Sequence, residues 1–438
     1  MSHELIAVIF TALALALIVL GMHIGLALGI AGAFGILAIT GSFDAMVGVL
    51  KTTSFHAVGT YAIIIVPLFV LMGMFSLHGG ISGQAYRALS NWIGRLPGGL
   101  SLATTWACTA FGATSGSYIA AGSVFTKISL PEMRKAGYDK GFACGGIATA
   151  AIIAMVIPPS LFFVIYGMLA EESIARLLIA GIFPGLIMAM TLSVGIWIRA
   201  KSNPRLAPVA TTRVSWREKF ISTRKAWPMV VLAAIILGGI YTGVFTPTEA
   251  AAIGAFVALI ITLGFRKLSW DKLKSSLLET VELTTMLALL FIGATVFARF
   301  LAVSRVTAWL AEAIIGIGLS PLQFVIVIVV LYLILGCFVD AISAMFVTMP
   351  LFFPVVIALG INPIWFGVLT VVSLVIGAIT PPFGLSVYTV KAAAGPDVTV
   401  EGVFRGAMPY YLSMLATLAI LVAFPQISTF LPNMMMAR

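Results

Sequence analysis

The stretch Ile157-Pro158-Pro159-Ser160 interrupts a long apolar segment, and Thr380-Pro381-Pro382-Phe383 interrupts a second one in the same way. Proline lacks a backbone donor, so each pair is expected to break the helix that contains it. A similar pattern follows each pair, namely a tyrosine and then a Gly-x-x-Pro helix start: Tyr166 with Gly181 and Pro184, and Tyr388 with Gly406 and Pro409. The repetition indicates two related halves.

Polar residues precede both proline pairs at a similar distance. Ser115-Gly116-Ser117 lies before the first pair, and Asp340 with Ser343 lies before the second, all within apolar sequence. Duplicated halves with a proline-broken helix and a polar-tipped apolar segment are typical of secondary transporters, whose ion and substrate sites form at the bilayer midplane.

The composition places the chain in a membrane. Hydrophobic residues make up 61% of the sequence and charged residues 9%, and the mean hydropathy is +1.14, which excludes a water-soluble globule. Apolar stretches that match a ~30 Å hydrocarbon core predict roughly ten to twelve transmembrane helices plus shorter re-entrant segments. The net charge of +10 comes largely from loops, which favours a positive cytoplasmic surface over nucleic-acid binding. The cysteines and histidines lack metal-ligand spacing.

Basic connections predict the orientation. Residues 127–140, 199–225 and 266–274 carry most of the loop lysines and arginines, so we place all three in the cytoplasm. The segment 97–126 then begins and ends inside, as a re-entrant hairpin with Ser115-Gly116-Ser117 at its tip. The segment 322–356 is expected to enter from outside. The halves therefore have opposite topology, and both termini are predicted to lie outside.

We predict an all-α polytopic membrane protein with inverted repeats and two re-entrant hairpins. Residues 1–200 form the first repeat, 201–226 a basic cytoplasmic connection, and 227–438 the second repeat. An amphipathic segment at 82–96 is predicted to lie along the inner membrane surface.

The polar tips are candidate sodium sites. A glycine between two hydroxyls lets the backbone leave the helix, which exposes carbonyl and hydroxyl oxygens to a small hard cation. Small-residue helix packing and simple proline kinks are the alternatives. A carboxylate at the depth of Asp340 requires an ion or an ion-pair partner. The predicted sodium ligands are Ser115, Gly116, Ser117 and Pro158 on one side, and Asp340, Gly377 and Thr380 on the other.

Two basic residues are candidate anion contacts. Lys391 follows the second proline pair, where it either faces an anionic substrate or extends to the membrane interface. Arg299 is either an anion contact or a helix-end anchor. The predicted substrate-binding residues are Ser160, Ser343, Pro382, Gly384, Ser386, Lys391 and Arg299.

Several motifs in fixed order resemble the large membrane subunit of the tripartite ATP-independent periplasmic (TRAP) transporters, and the match runs through nearly the whole chain. These motifs are 67–73 (PLFVLMG), 115–117 (SGS), 130–139 (LPEMRKAGYD), 157–167 (IPPSLFFVIYG), 180–185 (AGIFPG), 243–251 (GVFTPTEAA) and 380–385 (TPPFGL). Two positions depart from the family pattern: residues 150–154 replace a glycine-rich run, and Ser386 replaces an asparagine.

The resemblance implies an elevator-type sodium symporter in the bacterial inner membrane and no enzymatic activity. Its implied partners are a small four-helix membrane subunit, membrane lipid and a soluble periplasmic binding protein that delivers an organic anion. Na⁺ would be the coupling ion, without an organic cofactor. A stand-alone sodium/divalent-anion symporter and a passive anion channel remain alternatives.

Overall fold

The computed structural model describes residues 3–209 and 214–436, and these residues form helices joined by short connections, with no strand among them. The all-α prediction is therefore confirmed. Residues 210–213, within the basic connection, lie outside the described residues. The helices are α1 His3–Val19, α2 Ile24–Thr40, α3 Phe43–Gly59, α4 Ile65–His78 after a 3-10 turn Tyr61–Ile64, α5 Ile81–Ile93, α6 Gly99–Ser115, α7 Tyr118–Lys135, α8 Lys140–Ile153, α9 Leu161–Leu169, α10 Ile174–Ala180, α11 Ile182–Ser202, α12 Trp216–Lys225, α13 Trp227–Ala233, a π-helical turn Ala234–Gly238, α14 Gly239–Tyr241, α15 Pro247–Gly264, α16 Trp270–Ser304, α17 Val306–Gly316, α18 Pro321–Phe338, α19 Ala341–Ala358, α20 Pro363–Gly377, α21 Leu385–Ala394, α22 Val400–Ala423 and α23 Gln426–Met436.

Seven helical segments within the described ranges are long and apolar enough to cross a membrane. The bent pair Trp216–Lys225 and Trp227–Tyr241 brings the number to eight if it forms one span. Four shorter apolar helices are α1, α2, α8 and α20. Helices α8 and α20 are each one piece of a broken helix, so the length criterion does not count them as spans. The predicted ten to twelve crossings stay a prediction.

Two helical hairpins stand at the predicted positions. Helices α6 and α7 form the first, which turns at Gly116 with φ 56°. The Ser117 hydroxyl accepts a hydrogen bond from the Ala120 amide at 3.3 Å and thereby caps α7. Helices α18 and α19 form the second hairpin, in which Asp340 caps α19.

Two broken helices run antiparallel to each other. The first comprises α8 and α9 with a break at 154–160, and the second comprises α20 and α21 with a break at 378–384. The Tyr166 hydroxyl donates to the Pro363 carbonyl at 2.8 Å, which joins the end of the first to the start of the second. The Ser386 hydroxyl donates to the Ala148 carbonyl at 2.8 Å, which joins α21 to α8. The peptide bond between the two prolines is cis in both breaks.

The three basic connections meet at one end of the molecule. The Asp139 amide donates to the Leu206 carbonyl at 2.9 Å, which links the first connection to the second. Trp92 in α5 donates to Thr223 in α12 at 2.8 Å, and Lys267 Nζ lies beside Gly80 at the start of α5. The amphipathic helix α5 thus adjoins both later connections. This common end is the one that the sequence analysis assigned to the cytoplasm.

Candidate ion and substrate sites

Each hairpin passes very close to the break of a broken helix. A Cβ on Gly112 in α6 would lie 2.7 Å from Ala154 Cα, and a Cβ on Gly377 in α20 would lie 2.5 Å from Gly336 Cα in α18. Ala154 and Gly377 occupy the same place, one helical turn before the first proline of their break. The same close contact is therefore built twice, once in each half of the chain.

The first hairpin tip stands against the first break. A Cβ on Gly116 would lie 2.8 Å from the Pro159 carbonyl oxygen. Ser115 is buried, and its hydroxyl forms no hydrogen bond to another described residue. The structure thus brings Ser115, Gly116 and Ser117 against the break that contains Pro158, with one hydroxyl unengaged.

Gly73 in α4 also adjoins this tip. A Cβ on Gly73 would lie 3.1 Å from Ser115 Cα and 3.3 Å from the Ser115 carbonyl oxygen. The sequence analysis quoted this glycine only within a family motif and gave it no role. Its signal was present in the sequence, since a glycine inside a transmembrane helix often permits close backbone approach.

The second site brings Gly377 and Thr380 beside the end of α18. The side chains of Cys337 and Thr380 interact, and the Thr380 hydroxyl donates to the Ile376 carbonyl at 3.0 Å. Tyr411 in α22 lies close to Thr380 as well. Gly377 and Thr380, two of the three residues predicted to bind sodium on this side, therefore lie close together.

Asp340 has a backbone partner. Its carboxylate accepts hydrogen bonds from the amides of Ile342 at 3.2 Å and Ser343 at 3.3 Å, and it forms no salt bridge within the described ranges. Its electrostatic interaction with Tyr118, at the start of α7, places the two hairpin tips near each other. Among the described residues Asp340 therefore has amide partners at the start of α19 and no ion-pair partner.

Four helix ends converge at each site. Helices α6 and α8 end beside the first break, and α7 and α9 begin there; α18 and α20 end beside the second, and α19 and α21 begin there. Helix C-termini carry partial negative charge and N-termini partial positive charge. The mirrored arrangement therefore offers both a cation and an anion an electrostatically suitable position.

Three predicted substrate residues help to hold the breaks together. The buried Ser160 hydroxyl donates to the Met155 carbonyl within the first break. The buried Ser386 hydroxyl is engaged by Ala148. Gly384 begins α21 at φ 39°, against the Phe404 ring. Ser343 is buried in the first turn of α19, and its amide donates to the Asp340 carboxylate at 3.3 Å. In this conformation the Ser160 and Ser386 hydroxyls therefore have intramolecular partners.

The two breaks differ in exposure. Every residue from 157 to 160 is buried, whereas Pro381, Pro382 and Phe383 are exposed. A cavity of about 530 Å³ adjoins the second break and is lined in part by Pro382, Tyr388 and Arg405. The second break therefore lies at the surface of the chain, and the first is enclosed within it.

Arg299 and Lys391 lie apart. Arg299 lines a cavity of about 550 Å³ together with Glu171 and Glu172, which follow α9. Lys391 lies in the last turn of α21, near the opposite, basic end, where Asp397 pairs with Lys140 at 2.9 Å. In this conformation a small anion would contact only one of these two cations at a time.

The profile of the family described as "Tripartite ATP-independent periplasmic transporter, DctM component" matches residues 11–427. The chain belongs to this DctM family. It is 36% identical over 413 residues to the C4-dicarboxylate TRAP transporter large permease protein of Pseudomonas aeruginosa, covering 93% of each chain. It is also 32% identical over 385 residues to the sialic acid TRAP transporter permease protein of Haemophilus influenzae, covering 87% of this chain and 61% of that longer protein.

Among solved structures, the Alcanivorax borkumensis YdaH transporter matches the DctM chain with a TM-score of 0.63 and 17% identity, over 97% of this chain and 98% of that one. At that identity the likeness concerns the fold alone. The predicted resemblance to TRAP large subunits is confirmed, and the chain is a multi-pass membrane permease component.

Proposed function

We propose that this chain is the large subunit of an elevator-type symporter of the bacterial inner membrane, which couples sodium entry to the uptake of a small organic anion. A periplasmic binding protein delivers the anion, and a small four-helix membrane subunit completes the complex. The observation that carries the proposal is the mirrored pair of sites, each built from a hairpin tip and a broken helix, with only one break open.

Sodium fits the chemistry of the first tip. Hard cations take oxygen ligands. The Ser115 hydroxyl has no partner among the described residues, and the next residue, Gly116, lies against the Pro159 carbonyl oxygen. The C-terminal ends of α6 and α8 add partial negative charge at the same place. The corresponding ends of α18 and α20, next to Thr380, are the proposed second position.

The names of the relatives and the helix ends at the site both support an organic anion as the substrate. The two relatives are named for C4-dicarboxylates and for sialic acid. We propose that the anion binds between the tips, near Ser343 and the exposed Pro382, where the N-termini of α19 and α21 contribute partial positive charge. The buried Ser160 and Ser386 are proposed to shape this site through their carbonyl partners.

Reconstitution tests this function. A thermal-shift screen of C4-dicarboxylates, sugar acids, keto acids and sulfonates identifies the ligand of the binding protein. The large and small subunits are then placed in vesicles, and uptake of that labelled ligand is measured with the binding protein outside. We expect concentrative uptake that requires an inward sodium gradient and the binding protein.

Three outcomes of this experiment would contradict different parts of the proposal. Equal uptake in potassium would contradict sodium coupling. Full uptake without the binding protein would assign a stand-alone symporter, and equilibration without accumulation would assign a passive channel.

A further inference from the structure

A surface groove of about 660 Å³ lies among α5, α6 and the segment from α12 to the π-helical turn Ala234–Gly238, and its lining is almost entirely apolar. Small side chains, among them Ala88, Ala110 and Ala234, create its volume. Val230, also in its lining, is 67% exposed, so the groove opens at the surface of the chain. A groove of this kind fits a flexible hydrocarbon chain.

An aromatic and cationic cluster covers one end of the groove. Trp92 and Thr223 both line the groove and are hydrogen-bonded to each other at 2.8 Å. Lys219 Nζ lies 5.3 Å from the Trp92 ring centroid and 4.9 Å from the Trp216 ring centroid. Trp216 and Phe220 are more than 60% exposed, at 67% and 63%. Exposed tryptophans beside cations are typical of the membrane–water interface.

Helix α12 carries excess positive charge at this point. Its basic residues are Arg217, Lys219, Arg224 and Lys225, and its one acidic residue, Glu218, accepts a hydrogen bond from the Ser215 amide at 3.1 Å. In the part of the chain that the structure describes, none of the four cations forms a salt bridge. Helix α12 is bent by 43° from the following segment Trp227–Tyr241, so the charged helix continues from the groove in a different direction.

We propose that this groove binds an anionic glycerophospholipid of the cytoplasmic leaflet. One acyl chain lies along the alanine-lined groove, and the headgroup phosphate binds the cations of α12, with Lys219 held over the tryptophan rings. The combination of an apolar groove with cations that form no salt bridge at its end favours this occupant, because a zwitterionic lipid brings no net negative charge to them.

Native mass spectrometry of the full-length chain in detergent tests the assignment. Palmitoyl-oleoyl phosphatidylglycerol and phosphatidylcholine are titrated separately, and the affinity of the first adduct is measured for each. We expect phosphatidylglycerol to bind at least tenfold more tightly. The double variant Lys219→Gln, Arg224→Gln is expected to lose that preference, whereas Ala234→Phe, at an exposed position in the groove, is expected to weaken both lipids.

A matched control carries the same charge change elsewhere. Lys272→Gln with Lys274→Gln alters another basic connection, and phosphatidylglycerol affinity is expected to stay within twofold. Equal affinity of the native chain for the two lipids would overturn the proposal. Unchanged phosphatidylglycerol affinity in the double variant Lys219→Gln, Arg224→Gln, or in Ala234→Phe, would overturn it as well. Displacement of the lipid by the purified small membrane subunit, abolished by Ala234→Phe, would assign the groove to that protein instead. Size-exclusion profiles establish that each variant is folded.

Discussion

Gly377 illustrates how much of the second site depends on a single missing side chain. A Cβ there would lie 2.5 Å from Gly336 Cα and 3.1 Å from the Cys337 amide nitrogen. Because these neighbours are backbone atoms, they cannot rotate away, so the hairpin would have to shift.

We expect Gly377→Ala to lower thermal stability and transport. Overpacking of a tight contact costs about 1–3 kcal/mol, and displacement of the tip would also disturb the site around Thr380. The measurement is the unfolding midpoint in detergent together with sodium-dependent uptake. Gly48→Ala in α3 is the control, because nothing lies within 4 Å of its added Cβ. Equal midpoints and equal uptake for Gly377→Ala and the native chain would contradict the close contact.

Asp397 joins the two halves at the basic end. It pairs with Lys140 at 2.9 Å and with Arg134 at 3.2 Å, and its hydrogen bond to Lys140 is the main cause that lowers the pKa of the Asp397 carboxyl. A carboxyl with a lowered pKa in the folded state adds stability above its unfolded value of about 3.9, and this contribution is lost as the pH falls through the lowered value.

Asp397→Asn is therefore expected to lower the unfolding midpoint slightly at pH 7, and between pH 7 and pH 3 this difference is expected to shrink. The effect is small because the pair is largely exposed. Midpoints of both proteins are measured across this pH range, with Glu401→Gln, a partner within one helix, as the comparison. A midpoint difference that is independent of pH would show that Asp397 acts through packing rather than charge.

At the residue scale, the sequence predicts where the two helices break. It does not predict the hydrogen-bond partners of the serine hydroxyls near those breaks. Ser386 is predicted to contact substrate, yet its hydroxyl donates to Ala148, 238 residues away. Such a long-range hydrogen bond depends on how the two halves pack, which no local pattern records. Gly116 was predictable, because only its permissive backbone suits the turn between two hydroxyls.

At the element scale, the polar hairpin tip yields a specific expectation. Ser115→Ala should raise the sodium concentration for half-maximal uptake, because removing an oxygen leaves a hard cation under-coordinated. Uptake is measured in reconstituted vesicles as a function of sodium concentration. Ser123→Ala, on the same hairpin within α7, removes a hydroxyl away from the tip and should leave sodium dependence unchanged. Identical sodium dependence in Ser115→Ala and the native chain would remove Ser115 from the ion site.

Element boundaries were less predictable than element positions. The first hairpin was expected at 97–126, whereas α7 continues to Lys135 through Pro131. The hairpin was expected to end where the basic residues begin. The change from apolar to basic sequence marks where the apolar part of the helix ends, but the helix itself continues. Helix α12 was read only as a basic connection, because a charge pattern alone does not indicate that it packs on Trp92.

At the scale of the whole molecule, the two inverted halves were predictable, because both contain polar residues, a proline pair and a glycine-initiated helix in the same order. The difference in exposure between the breaks was not. Similar residues occupy both breaks, so nothing local in the sequence determines which one is open. That difference belongs to this conformation, and we expect the proposed carrier to reverse it when ligands shift the population toward its other state.

Cysteine accessibility at the two breaks tests this alternation most directly. Ser160→Cys and Phe383→Cys are introduced separately where Cys108, Cys144 and Cys337 have been replaced, and a membrane-impermeant thiol reagent is applied from each side. Ser160 is fully buried and Phe383 is 53% exposed here, so we expect labelling of Phe383→Cys from the cytoplasmic side and protection of Ser160→Cys. With sodium, substrate and the binding protein outside, Ser160→Cys should become reactive from the periplasmic side while Phe383→Cys becomes protected. Labelling of both cysteines from the same side under every condition would contradict the account.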